Sequence, residues 1–168
     1  MKKILFLTIA IVIGVLVQRK SDDIIIPSDA IRVRIIANSN NIEDLYVKRK
    51  LKDDIKNDLY DFVKNANSSK EASININNNL ENIKKIVSDK TKDFEISYGK
   101  NYFPQKIYKG VVYPEGNYES LVITLGSGLG DNWWCVLYPP LCLIDDNDNT
   151  SDVSYHSLVM DMLKIDTQ

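Results

Sequence analysis

Apolar residues change their spacing twice along this chain, and that switch limits the folds open to it. In "IRVRIIANS", Ile31, Val33 and Ile35 alternate with Arg32 and Arg34. A period of two puts each set on its own face of a β-strand. From Ile42 to roughly Asn65 the period lengthens, and Val47, Leu51, Ile55, Leu59 and Phe62 recur at helical spacing. Glu43 and Asp44 stand in the first turn, where the helix dipole favours acids. A second stripe, Ala72, Ile76, Leu80, Ile83 and Val87, predicts a helix from roughly Lys70 to Lys92 behind an N-cap at Ser68 or Ser69. The Asn run from Asn77 to Asn79 weakens that helix. Beyond it, "FEISYGK", "YFPQKIYKGVVYP" and "ESLVITLG" read as extended, with "YPEGNY" a turn. The order β-α-α-β-β-β predicts an α+β fold. Strands joined by short turns pair antiparallel, so we expect a mostly antiparallel sheet covered on one face by two helices.

The N-terminus bounds location. "MKK" precedes an apolar run of 14 residues, Ile4 to Val17, broken only by Thr8 and Gly14. A spanning helix needs about 20. A short run behind two lysines reads as a signal segment, and without an A-x-A-like site it also fits an uncleaved anchor. Either reading places the rest outside the cytoplasm, with membrane contact through this segment. The expected organisation is then 1–20 signal peptide or anchor, 21–29 tether, 30–144 one α+β domain, and 145–168 an acidic linker with a short helix.

Net charge is −2, which gives no basic footprint for nucleic acid. "GSGLGDN" has Asp131 where a dinucleotide loop needs its last glycine, and no clear helix follows to hold a phosphate. We read it as a pliable loop that lets backbone approach backbone. "DDNDNTSD" lacks calcium-loop chemistry: counted from Asp146, the required Gly and Glu positions are Ser151 and Ser157. No metal or other cofactor is expected. The single histidine, His156, is remote in sequence from both cysteines. A thiol needs a cationic or basic neighbour to become a nucleophile. An exported thiol enzyme using Cys135 or Cys142 is therefore the alternative reading, and a structural envelope protein a further one.

"DNWWCVLYPPLC" gathers both tryptophans and both cysteines. Trp133 and Trp134, adjacent in an extended chain, point to opposite faces. A turn at Pro139-Pro140, with Tyr138-Pro139 a candidate cis bond, lets Cys135 and Cys142 close a disulfide. Two small buried thiols beside a Trp-lined core is the other reading. An exported chain can keep a disulfide. Trp133, Trp134, Tyr138, Pro139 and Pro140 are the first candidates for a partner contact, since such rings give area at low entropic cost. Arg32 and Arg34, two of only four arginines, come second. They either pair with neighbouring carboxylates or engage an acidic partner.

"RVRIIANSN" followed by a charged helix, and then "YPEGNYESLVITLGSGLGDNWWCVLYPPLC", resembles the stage II sporulation protein R family of endospore-forming bacteria. The likeness covers about Ile26 to Leu143. It departs at the Asn-rich second helix and the short tail. The resemblance implies signalling and not catalysis, with no small-molecule substrate. It implies export from the forespore into the intermembrane space, or anchoring on the outer face of the forespore membrane. The implied partner is a membrane-embedded aspartic protease of the mother cell, triggered to process the sigma-E precursor.

Overall fold

The computed structural model describes residues 24–108 and 111–141, together with Val159 and Leu163. The expected export segment, residues 142–144 of the expected domain, including Cys142, and the expected tail 145–168 apart from Val159 and Leu163 lie outside the described residues. Among the described residues no helix is long and apolar enough to cross a membrane.

The elements run β1 (Ile24–Ile25), β2 (Ile31–Ile36), α1 (Ile42–Val63), α2 (Ser69–Asn78), α3 (Leu80–Ser88), β3 (Phe94–Phe103), β4 (Lys106–Tyr108), β5 (Val111–Tyr113), β6 (Gly116–Leu125) and β7 (Asn132–Tyr138). The α+β class holds. Asn41 caps α1, its side-chain oxygen accepting from the Asp44 amide at 2.8 Å. Ser68 caps α2 by accepting from the Glu71 amide, and the Glu71 carboxylate reaches back to the Asn67 amide at 2.9 Å. This pairing satisfies amide donors that a helix start leaves open.

The second helix is two helices. At Asn79 the backbone leaves helical geometry (φ −105, ψ 8), and its side-chain amide donates to the Asn75 carbonyl at 2.8 Å. Asparagine competes in this way for backbone groups that a continuous helix would use. Both pieces still keep the apolar stripe: Ala72, Ile76, Ile83 and Val87 are buried in the core.

The sheets are mixed, which corrects the expectation of a mostly antiparallel one. A four-stranded sheet has the order β3-β6-β2-β7, and a three-stranded sheet the order β1-β5-β4. β2 runs parallel to β6, from Arg32 opposite Ser120 to Ile36 opposite Thr124, and antiparallel to β7. β1 is likewise parallel to β5. Short-turn logic governs successive strands such as β4 and β5, which do pair antiparallel. It does not govern β2, whose parallel neighbour β6 follows only after three helices and three further strands, the long connection that parallel pairing requires.

One face of the larger sheet carries the main core. Ile31, Val33 and Ile35 of β2, with Leu121, Ile123 and Leu125 of β6, meet Leu51, Ile55, Leu59 and Val63 of α1. A second cluster joins Ile24, Ile26, Val111, Val136, Leu141 and Val159. Ile24–Ile25, expected in the tether, thus form β1, because Ile24 and Ile26 supply apolar groups that this second cluster buries.

Two loops lock together at one end of the larger sheet. The Gly130 amide donates to the Ala37 carbonyl (2.9 Å), the Leu129 amide to Asn38 (3.0 Å), and the Ala37 amide to Asp131 (3.2 Å). The Asn38 side-chain oxygen accepts from both the amide and the hydroxyl of Ser127, each at 2.9 Å. The Asp131 amide donates to the Asn40 side chain at 2.7 Å. Glycine permits this approach: a Cβ on Gly130 would lie 2.3 Å from the Ser39 carbonyl oxygen, and one on Gly126, whose φ is +53, would lie 2.4 Å from Asn38 Oδ1.

Gly130→Ala should therefore cost about 2–3 kcal/mol of stability, as overpacking against backbone does, read as a lower urea midpoint with an unchanged slope. A second expectation concerns Tyr98, whose hydroxyl donates to Glu119 at 3.1 Å. Burial, foremost, raises its phenol above the ordinary value. A raised folded-state value favours the protonated phenol, so this stabilisation is complete below the unfolded value of about 10 and is lost as pH rises past it. Stability measured from about pH 9 to about pH 11 should fall more steeply in the parent than in Tyr98→Phe.

Candidate partner-binding surface

The two tryptophans part across the sheet, as alternation requires. Trp133 sits on the helix side, half-buried, packed against the main core. It lines a shallow groove of about 450 Å³ with Ile42, Leu45, Lys48, Arg49, Lys52, Asp131 and Asn132. Trp134 lies on the other face, edge-on to Phe103 with ring centroids 5.3 Å apart, and the Arg34 guanidinium stands 5.1 Å from its ring.

The rest of that segment turns inward. Cys135 is 8% exposed, and Tyr138 joins the main core. A register shift between Ile31 and Arg32 brings Tyr138 opposite Ile31, so that Leu137 and Tyr138 both reach the same core. Bulges re-aim side chains in this way. The Tyr138–Pro139 bond is cis. Pro139 is buried and Pro140 half-buried. Of the expected contact residues, Trp133, Trp134 and Pro140 keep exposed surface, while Tyr138 and Pro139 serve packing. Cys135 is disulfide-bonded, and the chain's other cysteine, Cys142, lies outside the described residues.

The arginines share a strand face but not an environment. Arg32 is 3% exposed. Its guanidinium lies 3.5 Å from the Tyr118 ring centroid and 5.4 Å from that of Phe103, and Nη2 donates to the Pro114 carbonyl at 3.2 Å. Its Nε has no hydrogen-bond partner among the described residues. Burial lowers its pKa, with Tyr118 and Tyr113 opposing. The expected carboxylate pairing is thus replaced, among the described residues, by aromatic faces, which hold a desolvated guanidinium by about 2 kcal/mol. Phe103 and Tyr118 escaped the sequence reading, since a hydrophobic period does not say which ring will cover a cation. Arg34 is half-exposed, its Nε donating to the Asn132 side chain at 2.9 Å.

The groove beside Trp133 was not legible either. Ile42 is 84% exposed at the first position of α1, and Leu129 is 80% exposed on the interlocked loop. Lys48 Nζ donates to the Asp131 carbonyl at 2.9 Å, which ties α1 to the loop. Burial lowers the Lys48 pKa, Asp131 opposes that, and Arg49 adds to it. Apolar residues left in water beside clustered cations suit contact with another molecule. The signal available in sequence was "VKRKLK", whose cations share the first turns of α1 with Ile42.

Among the described residues no group of histidine, cysteine and acidic side chains could hold a metal ion. Cys135→Ser should lower stability by roughly 2–3 kcal/mol, the chain-entropy effect of a short closed loop. A reductant should shift the urea midpoint of the parent but leave that of the variant unchanged.

The profile of the family described as Stage II sporulation protein R (spore_II_R) matches residues 27–148. Stage II sporulation protein R of Bacillus subtilis (strain 168) is 39% identical over 134 residues, covering 76% of this chain and 60% of the relative. The chain thus spans less than two thirds of that relative's length. No solved structure matches. The segments brought together at the interlocked loops and β7 are the strings that carried the resemblance, and the chain belongs to the stage II sporulation protein R family.

Proposed function

We propose that this chain is an exported sporulation signal, delivered from the forespore into the intermembrane space or held on the outer face of the forespore membrane. There it triggers a membrane-embedded aspartic protease of the mother cell to process the sigma-E precursor. Residues 1–20 would direct export, and the folded body would carry the message. The observation that supports this best is the interlock of "ANSN" with "GSGLGDN", beside which Ile42 and Leu129 remain in solvent and Trp133 is only half-buried. Such an end of the sheet is suited to touching a partner. The exported thiol enzyme is the weaker reading, because Cys135 is buried and disulfide-bonded and a thiol chemistry needs a free thiolate.

Triggering requires only that the chain bind an active arrangement of the protease better than an inactive one. Moving an equilibrium from 1:99 to 99:1 takes about 5.5 kcal/mol of differential binding. One half-buried tryptophan in a groove supplies a useful part of that, since hot-spot rings contribute about 2 kcal/mol or more.

In the source organism, deletion of the chain should leave the sigma-E precursor unprocessed on an immunoblot, and the parent chain should restore processing. Trp133→Ala should require roughly 30-fold more protein than the parent for the same processing. Normal processing in the deletion strain would sink the signalling reading.

A further inference from the structure

Resting on that reading, we infer that the groove between α1 and β7 receives an acidic peptide segment of the partner, an apolar side chain on Trp133 flanked by carboxylates on the α1 cations. Four observations converge on this chemistry. Part of the lining is apolar: Ile42, Leu45 and Trp133 line it, with Leu45 and Trp133 half-buried and Ile42 exposed. The walls are cationic: Lys48 and Arg49 line it against one carboxylate, Asp131, while Lys52, which also lines it, is ion-paired with Asp53 at 3.5 Å. Arg49 is exposed and forms no ion pair among the described residues, so its planar fork is open to a bidentate carboxylate. Lys48 is partly desolvated, and among the described residues its one hydrogen bond is to a neutral carbonyl, that of Asp131.

A bilayer with anionic headgroups shares the negative charge but fits less well. The groove's roughly 450 Å³ suits a few side chains, within the range of ordinary ligand clefts. Attraction to an anionic membrane also grows with the summed basic charge near it, whereas this chain carries a net −2. The positive field is local to one groove, which favours a local anion on a shaped partner.

Two measurements on the full chain test this. The probe is an acetylated, amidated pentapeptide, Glu-Leu-Glu-Phe-Glu, compared with Gln-Leu-Gln-Phe-Gln. The readout is the Trp133 indole N–H resonance, assigned with Trp134→Phe. The acidic peptide should shift that resonance and bind at least about 10-fold more tightly than its neutral twin, weakening with salt. Arg49→Glu should abolish the difference, Arg49→Lys should keep part of it, and Lys100→Glu, an exposed charge on β3, should leave it intact. Equal affinity for the two peptides overturns the inference. So does binding to phosphatidylcholine–phosphatidylglycerol vesicles that Arg49→Glu abolishes, since lipid would then be the occupant. In sporulating cells Arg49→Glu should block precursor processing and Lys100→Glu should not. A deletion strain that is blocked beside an Arg49→Glu strain that is normal leaves the signalling reading standing and removes the acidic partner. A deletion strain that processes normally removes the signalling reading itself.

Discussion

The close approach of two loops, 37–41 and 126–131, underlies the arrangement of the larger sheet. β2 leads into the first loop, while β6 and β7 flank the second. Backbone bonds from Gly130 to Ala37 and from Ala37 to Asp131 hold the three strand ends together, and the Asn38 side chain adds the bonds to Ser127. Asp44 then ties the first loop to α1, accepting from Asn38 Nδ2 at 2.9 Å and from the Ser39 hydroxyl at 2.6 Å. A side chain at Gly130 would force the backbones apart, and the parallel register of β2 on β6 would lose its anchor. Backbone amides of the second loop thus find their partners across about ninety residues of chain.

The two faces of the sheet are held by different physics. On the helix face, aliphatic side chains from β2, β6 and α1 exclude water, and removing large residues from such a core leaves cavities that are costly. On the other face Arg32 lies against Tyr118 and Phe103, and Phe103 is edge-on to Trp134. Aromatic quadrupoles there offset a desolvated cation. This division lets β7 hold Trp133 at the groove, and Trp134 in the aromatic stack on the opposite face, without either ring being fully buried.

Much of the secondary structure was legible because periodicity is local. Ile31, Val33 and Ile35, and the stripe through Leu51, Ile55 and Leu59, are buried as their spacing predicts. The break at Asn79 was foreshadowed by the Asn run, but whether it bends or ends a helix depends on where Asn75 offers its carbonyl. The strand order was not legible, since the neighbour of β2 lies some ninety residues away in β6. The small sheet was missed because β1 is two residues long and takes its partner from β5. Within the candidate site, the tryptophan pair announced itself by rarity. The groove that gives Trp133 its neighbours arises only when α1 packs beside β7.

By itself the sequence determined the α+β class, the helix stripes, the opposed tryptophans and, through the long Gly-Trp-Cys-Pro string, the family. Each depends on residues close together in the chain. Only the tertiary structure decided that the sheets are mixed, that Tyr138 and Pro139 are buried, that Arg32 lies against aromatic rings, and that Ile42, Lys48 and Arg49 stand beside Trp133. These depend on which distant surfaces win the competition to exclude water and pair their backbone groups. That competition is settled by the whole fold, and no single segment encodes its outcome.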